Sequence, residues 1–363
     1  MFAKMLGLFQ WQQRFIKHAI ASAAWTAPPA RPQAMTAICI VDEAGQILLE
    51  KKVPTCPDAI ADCLKIRGSA PNLERVGLET GPLAVWLWNE LPIVCIDARH
   101  ANAALKMRPI KTDRNDAAGL AQIMRIGWFK QVRIKSRDSY QIRSLLVARE
   151  TLVRIRVKIE NEIRGLLRTF GVLFGKRVGG FEGRADEIIA GELDVSPEMR
   201  LIAGALMKAR SSVLDQIRLL DKRLMAIAKT TPTARLFMTA PGVGVITALS
   251  VASAFDNASR FKHSSSAGAY LGLTPRRYES GETSRNGRIS KQGSCMTRKH
   301  LYEAATTLLT RNLKFSTLKA WGMEIAKASG FKKARIAVAR KIAVILHVMW
   351  KTNTPFRWSQ VTA

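Results

Sequence analysis

Hydrophobic and polar positions change rhythm several times along the chain, and each change marks an element. Thr36–Val41 is a short β-rich run, Asp42-Glu43-Ala44-Gly45 reads as a turn, and Gln46–Val53 reads as a second strand, so a hairpin is expected. Ala59–Ile66 has helical spacing. Arg75–Leu78 is a short strand ending at Glu79, with a Gly81-Pro82 turn behind it, a helix over Leu83–Leu91 and a buried strand over Ile93–Asp97. A hairpin followed by strands alternating with helices predicts a mixed sheet with helices on its faces, so residues 35–135 are expected to form an α/β domain.

The rhythm then turns helical. Residues 139–172 place Ile142, Leu145, Leu152, Ile155, Ile159, Ile163, Leu166 and Phe170 at steps near 3.6, and residues 199–228 repeat Leu206, Val213, Ile217, Leu220, Leu224 and Ile227 as a heptad seam. Two such helices joined by the Gly-rich, charged loop Gly175–Gly191 predict an antiparallel coiled-coil linker over 136–235. Either the pair dimerises the chain or it forms two core helices of a bundle; the dimerising arm is the expectation. Beyond it, 236–350 reads as a mainly helical domain: Pro241-Gly242-Val243-Gly244, an apolar helix to Ala254, a basic Gly/Ser-rich stretch over 260–299, and helices over His300–Leu313 and Lys332–Trp350. Residues 351–363 read as a tail. Residues 1–34 contain no acid, and Ala19–Pro32 is rich in Ala, Trp and Pro, so this segment is expected to be a disordered extension outside the fold.

Charge narrows the partner. Lys and Arg total 57 against 28 Asp and Glu, a formal net charge of +29. Such an excess repels itself and attracts a polyanion. No apolar run reaches the roughly 18–20 residues of a spanning helix, which leaves nucleic acid ahead of a membrane and a cytoplasmic, nucleoid-associated protein as the expectation. The five cysteines, Cys39, Cys56, Cys63, Cys95 and Cys295, form no CxxC pair, so a zinc module or disulfide framework is not expected.

Two constellations carry chemistry. Asp113 and Asp116, in Lys111-Thr112-Asp113-Arg114-Asn115-Asp116-Ala117, lie three apart at the opening of a helix and share a face. With Glu79 at a strand end they could bind Mg²⁺ through hard oxygens; the alternative is that they cap the helix. The second is Pro275 to Gly293, where Arg276, Arg277, Arg285, Arg288 and Lys291 flank Ser280. Arginine forks grip phosphate, and a hydroxyl among such cations could attack phosphorus. The alternative is that Ser280 fills a flexible polar DNA-binding loop. Gly242 and Gly244 form a turn whose N–H groups could hold a DNA phosphate.

Thr36–Gly45, Leu78–Gly81, Lys111–Ala117 and Pro241–Gly244 resemble the insertion-sequence transposases of the IS110 group. The likeness is most specific from Ala269-Tyr270-Leu271-Gly272-Leu273-Thr274-Pro275 through Ser280-Gly281 to Ile289-Ser290-Lys291-Gln292-Gly293, and it covers about 35–350. The resemblance implies a RuvC-like (RNase H-like) domain, a coiled-coil linker and a C-terminal transposase domain. It implies four acids binding Mg²⁺, with Glu79, Asp113 and Asp116 as the second, third and fourth, and Ser280 as the nucleophile. It implies DNA as substrate and a guide RNA from the element, and the heptad seam adds the expectation of a homo-oligomer, dimer or tetramer, built through the coiled coil. One departure stands out: the position of the first acid, about six residues before Thr36, falls on Ala30, where the sequence offers neither strand nor Asp. The expected function is RNA-guided strand cleavage and rejoining through a serine–DNA intermediate. The alternatives are an inactive copy that only binds nucleic acid and a RuvC-type nuclease that would not need Ser280.

Overall fold

The computed structural model describes residues 19–23, 35–65, 73–106, 110–175, 180–311 and 314–358. The chain divides into two compact units, 1–134 and 135–363. Ala30 and residues 359–363 of the expected tail lie outside the described residues.

The first unit is a five-stranded mixed sheet in the order β3-β2-β1-β4-β5. The expected hairpin is present as β2 (Met35–Val41) and β3 (Ile47–Pro54), antiparallel with Thr36 opposite Val53. β4 (Val76–Glu79) and β5 (Val94–Ile96) run parallel. The centre of the sheet corrects the reading of the N-terminal segment. Ala19–Ala23 forms β1, antiparallel to β2 and parallel to β4, so part of the expected extension is the middle strand of the fold. Ile20 and Ala21 pair on both sides, and Ala19, Ser22 and Ala23 on one, which satisfies a backbone that Ala-rich sequence alone does not mark as a strand.

Helices α1 (Pro57–Lys65), α2 (Ala84–Glu90) and α3 (Ala98–Leu105) accompany the strands. The helix that positions chemistry is α4 (Asp113–Ile126). The Thr112 hydroxyl caps it by accepting from the Asn115 N–H at 3.2 Å, and Gly127 ends it in the left-handed region at φ 71°. Capping therefore falls to Thr112, and Asp113 and Asp116 are left in the first turn. Ala117, Leu120, Ala121 and Met124 pack α4 on Ala37, Cys39 and Val41. The fit is close enough that a Cβ on Gly77 would stand 2.7 Å from Met124 Sδ.

The second unit is helical apart from one hairpin. α5 (Arg137–Arg168) and α7 (Pro197–Thr230) are the two long helices. Arg149 pairs with Asp221 at one end and Arg210 Nε with Glu160 at 2.8 Å further along, so the two run antiparallel. Ile217 and Leu224 of the heptad seam are buried within the chain, with Leu224 in the same core as Leu146 of α5. The dimerising arm is thus corrected at this seam: its apolar edge already has a partner in α5. The connecting segment contains α6 (Gly180–Ala190), where Phe181 and Ile188 pack against Ile163, Leu167 and Met199.

α8 (Pro232–Phe237) leads to α9 (Val245–Phe255), whose residues from Thr247 to Phe255 are all buried. Around it pack α10 (Ser266–Tyr270), α11 (Cys295–Thr310), α12 (Thr317–Ser329) and α13 (Phe331–Thr352). The hairpin, β6 (Pro275–Ser280) and β7 (Thr283–Ile289), falls where a flexible basic loop was expected. No helix among the described residues is long and apolar enough to cross a membrane.

Candidate nucleic-acid and phosphoryl-transfer site

In the first unit the sheet and α4 bring acids together. Glu79 ends β4 half-buried, and Asp116 sits in the first turn of α4. Burial raises the Glu79 pKa above the ordinary carboxylate range, the charge of Asp116 raises it further, and Lys111 opposes both. Asp113 turns toward β3, where Lys52 Nζ meets its Oδ2 at 3.3 Å. Beside it Arg114 pairs with Glu50. Among the described residues no group of three or more His, Cys, Asp or Glu side chains could hold a metal ion. The arrangement offers a repelling pair of oxygen donors, Glu79 and Asp116. Such a pair suits a hard divalent cation that keeps much of its water and takes its remaining ligands from phosphate.

The strand beside Glu79 supplies no carboxylate. β1 reads Ala19-Ile20-Ala21-Ser22-Ala23, and Ala21 pairs with Leu78, so continuing the register sets Ser22 level with Glu79.

In the second unit Ser280 stands at the tip of the β6–β7 hairpin. It pairs with Thr283 across Gly281-Glu282, and Gly281 adopts φ 53°, the conformation a tight hairpin asks of its first central residue. Every residue of β6, and of β7 as far as Arg288, is exposed, so Arg276, Arg277, Arg285 and Arg288 all face solvent and the hairpin has no core of its own.

Its position is fixed at the base, by residues the sequence reading did not single out for that role. Gly272 (φ 68°) approaches Gln292 so closely that a Cβ would lie 2.3 Å from its N and O. Gly293 (φ 70°) meets the carbonyl of Tyr270, 2.2 Å from where a Cβ would be. The N–H of Lys291, itself at φ 56°, donates to Gly272 O at 3.1 Å, and that of Ser290 to Thr274 O at 2.8 Å. One guanidinium nitrogen of Arg298, in α11, donates to the carbonyls of Leu271 (3.1 Å), Gln292 (2.5 Å) and Gly293 (3.3 Å). The Gly-Leu-Thr-Pro and Ser-Lys-x-Gly segments are therefore two halves of one clamp. Arg298 gave no signal by spacing, because its acceptors are backbone carbonyls that any residue provides.

The Pro241–Gly244 turn is also tightly packed. A Cβ on Gly242 (φ 77°) would come within 2.3 Å of Ala304 O on α11, which gives that glycine a packing reason. Gly244 is exposed and precedes the first turn of α9.

Comparison with known proteins covers both units. A family model described as a transposase, of the IS110 DEDD type, matches residues 34–171, and one described as the transposase IS116/IS110/IS902 family matches 234–320. The chain is 27% identical over 323 residues to the transposase for insertion sequence element IS1111A of Coxiella burnetii, covering 88% of each chain. It is 30% identical over 248 residues to the putative transposase y4pF/y4sB of Sinorhizobium fredii, covering 67% of this chain and 62% of that one. A probable family 20 transposase of Pseudomonas aeruginosa is 26% identical over 255 residues, with 68% of this chain and 74% of that one covered. With a transposase match in each unit and a relative aligned along most of its length, the chain belongs to the IS110/IS116/IS902 family of insertion-sequence transposases.

Proposed function

We propose that this transposase cuts and rejoins DNA through a phosphoester between Ser280 Oγ and DNA, at sites chosen by a guide RNA from its element. The observation that carries the reading is the place of Ser280, at the tip of an exposed hairpin bearing four arginines. In the reaction the Ser280 Oγ–phosphorus bond forms as the bond from phosphorus to the 3′-oxygen breaks. The hydroxyl proton passes to solvent, and the released 3′-oxygen takes one up. One phosphoester replaces another, so a 3′-hydroxyl can later reverse the step and rejoin a strand. Arg276, Arg285, Arg288 and Lys291 hold the phosphate and offset its developing charge, whereas Arg277 is already paired with Glu279, and the N–H groups following Gly244 hold a neighbouring phosphate.

The first unit serves as the RuvC-like domain, a reading supported by its strand order and by the family match over 34–171. Glu79 and Asp116, with Asp113 beside them, would hold Mg²⁺, which when bound neutralises charge on phosphate oxygens. Glu79 and Asp116 stand at a strand end and a helix start, Lys111 moderates the charge of Glu79, and Lys52 pairs with Asp113. Assembly into a homo-oligomer would let the acidic unit of one copy serve the hairpin of another.

The test is to incubate the protein with Mg²⁺, guide RNA and target DNA and to look for a covalent protein–DNA adduct on denaturing gels. The adduct is expected from the wild type and absent from Ser280→Ala. An adduct that persists in Ser280→Ala moves the nucleophile elsewhere, with Ser284 and Ser290 next. A second reading, binding without catalysis, is favoured by the absence of a carboxylate in β1. It predicts no adduct from the wild type and a gain of adduct in Ser22→Asp.

A further inference from the structure

The two faces of the β6–β7 hairpin differ in chemistry. Register and alternation put Arg277, Glu279, Ser284 and Asn286 on one face. That face is neutralised within itself: Arg277 Nη2 meets Glu279 Oε1 at 2.5 Å, and Ser284 Oγ donates to the same carboxylate at 3.2 Å. A phosphate approaching it would meet the carboxylate. The opposite face carries Tyr278, Ser280, Thr283 and Arg285, with Arg276 further along β6 and no carboxylate. The Tyr278 ring lies against Gly287, where a Cβ would come within 2.8 Å of the ring, and Arg285 stands 5.9 Å from the ring centroid. Tyr278 is nevertheless 51% exposed, and among the described residues it is the one exposed large hydrophobic of the hairpin, since Ile289 at the base of β7 is partly buried.

We infer that the hairpin meets nucleic acid with this face alone, and that Tyr278 stacks on an unpaired base beside the phosphate engaged at Ser280. Tyr278 and Ser280 are two residues apart on one strand face, roughly 7 Å. That span separates neighbouring nucleotides in an unstacked strand. A ring backed by its own glycine presents its other side as a flat platform, and every base has a face that such a platform accepts. Paired bases inside a duplex are already stacked, so the ligand is a single-stranded segment. The inference rests on the Ser280 reading for its biological setting, but its test does not.

The test measures affinity of the full chain for a short oligothymidylate and for an abasic strand of the same length, which has phosphates but no bases. Tyr278→Leu is expected to weaken thymidylate binding about 5- to 100-fold and to leave abasic-strand binding within about twofold. Tyr278→Trp is expected to keep or strengthen the base-dependent part. Arg285→Ala should weaken binding of both strands by more than Arg277→Ala does. Equal losses for the two strands in Tyr278→Leu, or no loss, would overturn the stacking site. Equal effects of Arg277→Ala and Arg285→Ala would overturn the single working face. The hairpin has no core, so Tyr278→Leu should melt with the wild type; if it does not, Tyr278→Trp alone decides through its thymidylate-to-abasic affinity ratio. The test reads non-covalent affinity only, so failure of the nucleophile reading shows in the covalent adduct alone and leaves this result standing.

Discussion

Replacing Gly272 by Ala should loosen the base of the hairpin and destabilise the second unit. At φ 68° an L-residue is held in the left-handed region, which costs about 1–2 kcal/mol. The new methyl would also lie 2.3 Å from both N and O of Gln292. Those atoms are backbone, tied down by the Lys291 N–H bond to Gly272 O and by Arg298, so they cannot swing aside as a side-chain tip would. Forcing an extra carbon into a packed contact adds roughly 1–3 kcal/mol. The total is about 2–5 kcal/mol, which in a unit of this size lowers Tm by roughly 4–20 °C. Gly281→Ala is the control. Its φ of 53° carries the same backbone cost, but nothing lies within 4 Å of its Cβ, and the hairpin tip supports no core. Scanning calorimetry of the two variants beside the wild type, with limited proteolysis of the 275–289 segment, separates the terms. Gly272→Ala should melt earlier and be cut faster than Gly281→Ala. If the two melt together and are cut at the same rate, the clamp between Gly272 and Gln292 does not hold the hairpin.

Three further outcomes follow from the packing and the charges. Ile217→Asp or Leu224→Asp buries a charge between α7 and α5, so sedimentation should show an unfolded or expanded chain rather than a smaller oligomer; a folded species of lower mass would restore the seam to an interface between copies. Glu79 has a raised folded pKa, so its ionisation costs the folded state stability as pH rises through that value; Glu79→Gln should raise Tm at neutral pH, and a lowered Tm would mean that the Asp116 repulsion is already compensated. Burial lowers the His300 pKa to about 4, so the unfolded chain binds a proton that the folded one refuses; stability should fall as pH drops from about 6.5 towards 4, and urea midpoints of His300→Gln should lack that part of the decline.

Much of the fold is legible in the sequence because its signals are local. The β-rich runs Thr36–Val41 and Gln46–Val53 around the turn Asp42–Gly45 mark the hairpin, period 3.6 marks α5 and α7, and the paired acids Asp113 and Asp116 mark the start of α4. The +29 charge and the block around Ser280 identify a nucleic-acid partner and the transposase family without coordinates. The seam of α7 is equally legible as a pattern, but a heptad repeat states only that an apolar edge needs a partner. Whether α5 or a second chain supplies it is decided by tertiary packing.

β1 escapes the sequence for the complementary reason. Ala19-Ile20-Ala21-Ser22-Ala23 has no alternation to announce a strand, and it becomes one because β2 and β4 leave a gap whose backbone groups it satisfies. The acids divide in the same way: spacing put Asp113 and Asp116 on one helix face, but only the fold turns Asp113 toward Lys52 and Asp116 toward Glu79. The basic stretch around Ser280 reads as a loop by composition. Its hairpin pairing, and the clamp of Gly272, Gly293 and Arg298 that aims it, depend on backbone atoms some twenty residues apart meeting at van der Waals distance. The sequence by itself determined the residue types and their local periods. The tertiary structure decided which of them meet, because contact is set by packing between segments and leaves no period in the chain.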